Sequence, residues 1–119
     1  MDDYYIRLLR LLPKRVFAFQ QRKILVDEFP TSNAALVALR RSPEGTYLLQ
    51  VYWGGKLFDE INIDFRNSKL QWQGYNVTCY HDIVEITLAK AILCNSLYDK
   101  ERKEKATNYL LSMLPGKVR

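Results

Sequence analysis

The stretch TYLLQVYW-GG-K-LFDEINIDF, residues 46–65, decides the fold. Two runs rich in aromatic and branched residues flank a glycine pair, the pattern of two antiparallel strands joined by a tight turn. The register follows from which side chains can share a face. A two-residue loop sets Trp53 against Lys56 and Leu49 against Glu60. A three-residue loop sets Trp53 against Leu57, Leu49 against Ile61 and Tyr47 against Ile63. A one-residue slip turns every side chain over, and only the second register makes one clean apolar face, so it is the expected one. It leaves Asp59 opposite Val51 on that face, an inward charge of the kind that discourages edge-to-edge association.

Downstream, residues 66–68 read as a turn and 69–73 as a short strand with Leu70 and Trp72 on one face. Tyr80, Ile83, Val84, Thr87, Leu88, Ala91 and Ile92 then fall at helical spacing, and Ile86, Ala89, Leu93 and Leu97 widen the stripe. This predicts a largely buried helix on the sheet, with Thr78 as its N-cap. A second helix starts near Asp99, turns Ala106, Tyr109, Leu110, Met113 and Leu114 inward, and stops at Pro115-Gly116.

Upstream, Ser42-Pro43-Glu44-Gly45 has type I turn chemistry, and residues 34–41 read as a strand leading into it. Tyr5, Leu8, Leu9 and Leu12 match i, i+3, i+4, i+7. That predicts a short N-terminal helix, opened by Asp2 and Asp3 and ended by Pro13. Residues 14–29 hold no clean period; two short strands around residues 20–23 fit best, and residues 30–33 form a loop. The expectation is one two-layer α+β domain over residues 1–119. It has an N-terminal helix, an antiparallel meander of four or more strands, and two C-terminal helices packed on one sheet face.

Composition agrees with a globular chain: 119 residues, 48% hydrophobic and 26% charged. No apolar run approaches the ~20 residues of a spanning helix, and the acidic start lacks the basic region of a secretion signal. Two cysteines, Cys79 and Cys94, are too few for a disulfide framework, so a reducing cytoplasmic or nuclear compartment with free thiols is expected.

Catalytic patterns are sparse. One histidine, His81, and two cysteines fifteen residues apart fall short of a zinc ligand set, and no other metal site or cofactor motif is expected. Cys79 stands at a helix start, where the dipole lowers a thiol's pKa, but His81 lies two residues on and cannot face it from the same helix. Asp27-Glu28 and Asp59-Glu60 are adjacent pairs whose side chains point to opposite faces of a strand. Phosphate loops, hydrolase elbows and zinc-protease motifs are absent. An enzyme with a scattered site remains a minor alternative, and no small-molecule substrate is evident.

Two binding features stand out. In the expected register Leu48, Tyr52 and Phe58 point away from the helix-covered face, and pairing through the Pro43 turn adds Val37 and Leu39. Five apolar residues on a face open to solvent suggest a partner or self-association surface. The leading expectation is therefore a non-enzymatic interaction module, an adaptor, accessory subunit or inhibitor, docking through that face. The alternative is nucleic-acid binding through the basic ends. Six of eighteen Lys/Arg fall in residues 1–23 and six in 100–119, against two acids in each. Lys14, Arg15, Arg22 and Lys23 are the candidates at one end, and Lys100, Arg102, Lys103 and Lys105 at the other.

Overall fold

The computed structural model describes residues 4–13 and 22–115. In chain order these form β1 (Tyr4–Leu11), β2 (Lys23–Phe29), α1 (Ser32–Arg40), β3 (Gly45–Trp53), β4 (Lys56–Arg66), β5 (Lys69–Trp72), β6 (Tyr75–Val77), α2 (Tyr80–Cys94) and α3 (Lys100–Met113). The strands make one antiparallel sheet in the order β2-β1-β3-β4-β5-β6. All three helices bury residues against the same side of it. Ala35, Leu36 and Leu39 of α1, Ile83, Ile86 and Ala89 of α2, and Ala106 and Leu110 of α3 share one core with Ile6, Leu8, Tyr47, Leu49, Ile61, Ile63 and Phe65. Fully burying each of the larger aliphatic side chains stabilises the fold by about 1.5–3 kcal/mol.

The central hairpin keeps the predicted register through its body: Tyr47 faces Ile63, Leu49 faces Ile61 and Val51 faces Asp59. Its tip differs. Trp53 faces Lys56 and Tyr52 faces Leu57, so Phe58 is an extra residue, a β-bulge. Gly54 and Gly55 both have positive φ, +59° and +79°, the mirror-image turn whose twist matches the strands. The tight loop and the apolar register are each satisfied, and the bulge absorbs the one-residue difference. Asn67-Ser68 and Gln73-Gly74 repeat this positive-φ geometry in the next two hairpins, and the second of them adds β6, a strand not expected from the sequence.

The N-terminal segment is a strand and not the predicted helix. β1 lies between β2 and β3 and pairs with both, and it buries residues on both faces: Ile6 and Leu8 toward the helices, Leu9 on the other side. Apolar residues on both faces break strand alternation and imitate a helical stripe. The strand expected over residues 34–41 errs the other way, since residues 32–40 form the helix α1. The Thr31 hydroxyl accepts from the Ala34 amide at 3.1 Å, an N-cap, and Ala35, Leu36 and Leu39 fall on the inner side. The Pro43 turn thus joins α1 to β3 rather than two strands. Its residues are tied into the sheet: the Tyr47 hydroxyl donates to the Pro43 carbonyl, and the Glu44 carboxylate accepts from the Asn67 amide at 2.7 Å. The strands expected around residues 20–23 fall partly outside the described residues; the described part is the single strand β2.

Candidate functional site

The expected apolar sheet face is not assembled. Leu39 is buried in the core from α1, and Val37 stands on the outer side of the same helix, because residues 32–40 coil. Of the five predicted residues only Leu48 and Tyr52 lie on the back of the sheet. Leu48 is 4% exposed. Tyr52 stacks on Tyr5, with ring centroids 5.0 Å apart and planes 1° from parallel, and the Arg7 guanidinium lies 5.7 Å from its centroid. Leu9 lies beside Leu48 and is buried with it, Leu11 and Leu25 share their side of the sheet, and the other neighbours are polar. Arg7 Nε approaches Glu28 at 3.5 Å, too long or too oblique to count as a hydrogen bond, and Gln50 donates to Glu60 at 2.9 Å.

Phe58 went elsewhere, and the bulge is the reason. It lines a cleft of about 570 Å³ together with Tyr4, Val51, Trp53, Lys56, Leu57 and Tyr80, on the side of the sheet that carries the helices. Phe58 is 76% exposed and Trp53 51%. Tyr4 meets Trp53 edge to face at 6.0 Å, and the Tyr4 hydroxyl lies 3.3 Å from that of Ser32. These contacts fix the floor, while Trp53, Leu57 and Phe58 project from the hairpin tip.

Tyr80, the first residue of α2, lines this cleft and also a second one of about 460 Å³. The second cleft runs between α2 and the sheet. Asp59, Trp72, Val84 and Leu88 are among its walls. Tyr80, Val84 and Leu88 recur every four residues and so share one side of the helix. The two clefts meet at Tyr80 and make a groove along α2, walled at one end by the apolar hairpin tip and lined further on by Glu60, Gln73 and Thr87 as well as by apolar side chains. Burial, followed by the neighbouring charge of Asp59 and by Tyr4, pushes the Tyr80 phenol above its ordinary value. The inward charge expected at Asp59 therefore sits at the groove and leaves Tyr80 a neutral donor.

The start of α2 is held firmly. Asp82 accepts from the Thr78 hydroxyl and amide and from the Cys79 amide. The N-cap is Cys79, one residue after the predicted Thr78. Burial works to raise the Asp82 carboxyl. The Thr78 and Cys79 hydrogen bonds, with a smaller contribution from His81, outweigh it and hold the group below its ordinary value. The Tyr80 amide donates to Asn33 at 2.8 Å and Arg40 donates to the Thr78 carbonyl at 2.9 Å, joining α2 to α1. His81 points to Glu85, 3.6 Å away. Cys79 thus meets Asp82 through its backbone amide and His81 turns to Glu85, so the three side chains form no relay. Among the described residues no three His, Cys, Asp or Glu side chains are grouped to hold a metal ion, and no helix is long and apolar enough to cross a membrane.

Among the described residues, the basic positions of the two ends are not brought together. Arg22 and Lys23 lie at the β2 edge. Lys100, Arg102, Lys103 and Lys105 belong to α3, which packs on α2 and on β6 at the opposite edge. Lys14 and Arg15 lie outside the described residues. On α3 the charges are locally engaged: Lys105 approaches Glu101 at 3.7 Å, and Arg102 lies 5.4 Å from the Tyr98 ring centroid.

The groove had two signals in the sequence. One was the breadth of the α2 stripe, which holds more apolar residues than one buried side needs. The other was the Trp53-Gly54-Gly55 tip with Leu57 and Phe58 beyond it. Comparison with protein-family models, curated proteins and solved structures returned no match.

Proposed function

We propose that this chain is a non-enzymatic protein-interaction module that docks a partner protein through the groove between the β3–β4 hairpin tip and α2. One observation carries the reading. Three large apolar side chains, Trp53, Leu57 and Phe58, are held about half exposed or more on the β3–β4 hairpin beside the Tyr80–Val84–Leu88 side of α2. Exposed aromatic clusters of this kind are enriched at the cores of protein interfaces, and an aromatic side chain, with only two χ angles, loses little entropy on binding. Lys56 and Asp59 at the margins supply charges of both signs for orientation.

Selection of phage-displayed peptides against the protein tests this reading. The expected ligands carry aromatic or aliphatic anchors, change the emission of Trp53 in a Trp72→Phe background, and lose binding to a folded Phe58→Glu variant. Ligands that bind Phe58→Glu as well as the parent protein would place docking elsewhere. Oligonucleotide binding that survives physiological salt and weakens on Lys103→Glu would favour the nucleic-acid reading instead.

A further inference from the structure

A second surface lies two strands away from the groove wall. β2 ends the sheet on one side, and no strand among the described residues pairs with its outer edge. The Leu12 amide donates to the Arg22 carbonyl at 2.9 Å, so that carbonyl faces β1. Backbone groups alternate sides along a strand, which turns the N–H and C=O of Lys23 and Leu25 outward. The next three side chains are apolar and open: Ile24 is 50% exposed, Leu25 45% and Val26 42%. A long apolar edge with unpaired backbone groups is a template for another strand.

The charges of β2 select what that strand is. Arg22 and Lys23 lead into the apolar centre, and Asp27 and Glu28 lead out of it. We infer that β2 pairs antiparallel with β2 of a second copy of this chain about a two-fold axis, joining two six-stranded sheets into one. With the Leu25–Val26 step at the two-fold axis, where the bulge shifts the alternation by one residue, this pairing sets Lys23 of each copy opposite Glu28 of the other. Lys23 stands across from Leu11 and Glu28 across from Arg7, and both Leu11 and Arg7 lie on the back face. The two charges therefore share a face and can meet. Parallel pairing brings cation to cation and acid to acid. Such self-complementarity is what a two-fold interface requires. The bulge of β2 opposite Leu8 and Leu9 leaves Val26 without a register partner on β1, and its half-exposed side chain lies at the centre of the new pair.

Sedimentation velocity of the full chain, from micromolar to millimolar concentration at low and high salt, tests the inference. The expected result is a monomer–dimer equilibrium that salt weakens. Leu25→Lys and Lys23→Glu should each raise the dissociation constant about tenfold or more while the circular dichroism spectrum is kept. Phe58→Glu should dimerise like the parent, which separates this interface from the groove. In the unmodified protein, the Lys23 and Leu25 amides should exchange hydrogen more slowly as concentration rises. A monomer throughout the range, a dimer indifferent to Leu25→Lys, or exchange at those amides independent of concentration would each overturn it.

Discussion

At one edge the sheet ends in β6, three residues long and packed under α2 and α3; at the other it ends in β2, seven residues long with three successive apolar side chains about half exposed. Near the first edge, Leu70 and Val77 face each other across β5 and β6 and are buried beneath the helices. Near the second, α1 covers the helix side of the sheet without closing its rim. A strand under helices contributes to the core through its side chains. A strand left at a rim contributes mainly its hydrogen bonds to its neighbour, and its apolar side chains await something else.

That contrast has a thermodynamic form. Leu70→Ala and Leu110→Ala remove buried side chains at the closed edge and should each cost about 2–5 kcal/mol in urea unfolding. Leu25→Ala in dilute solution should stay within about 0.5 kcal/mol of the parent. Equal costs at the two edges would mean that β2 belongs to the packed core, and the contrast would fail.

The next effect concerns the helix start that carries the closed edge and the groove. Asp82→Ala leaves the Thr78 and Cys79 amides without their acceptor and should cost about 1–2 kcal/mol. Its pH signature has a definite sign. The folded carboxyl is held below the ordinary 3.8, so its contribution is present above that value and is lost as the pH falls through the lower folded pKa. Acid unfolding of the parent should include this loss, and that of Asp82→Ala should lack it.

A smaller effect belongs to the hairpins leading to the closed edge. Ser68 holds φ at +63°, where a Cβ is unfavourable, so Ser68→Gly should raise stability by up to about 1 kcal/mol. Gly55→Ala should lower it by a similar amount. No atom lies within 4 Å of the added Cβ, so the backbone alone sets that cost. Smallest of all is Phe58→Glu, which should leave the melting temperature nearly unchanged because the ring is already mostly in water. A large loss there would show the hairpin tip to be core.

The parts legible in the sequence are those where one face is apolar and the other is not. Tyr47, Leu49, Ile61 and Ile63 fixed the hairpin register, and the stripes of α2 and α3 located both helices within a few residues. The N-terminal third was misread where that contrast is missing. β1 is an inner strand with apolar residues on both faces, so its spacing fits a helix as well. α1 is only nine residues long, and its run of Ala, Leu and Val fits a strand unless the Thr31 cap is weighed. The second of these errors moved Val37 and Leu39 off the face assigned to them. The site was half visible: Phe58 was singled out, but its side of the sheet was not. Alternation fails at a bulge, and a bulge arises from a conflict between turn length and core register that lies in no single residue.

That conflict has a genetic consequence. The body of the hairpin and its two-glycine turn disagree by one residue, and Phe58 is that residue. Deleting its codon would leave Leu57 and Asp59 consecutive, opposite Tyr52 and Val51, in an uninterrupted ladder with every core pair retained. A single in-frame deletion would thus remove the most exposed aromatic ring of the groove while sparing the sheet. That one change would separate the proposed docking surface from the fold, without passing through an unfolded chain.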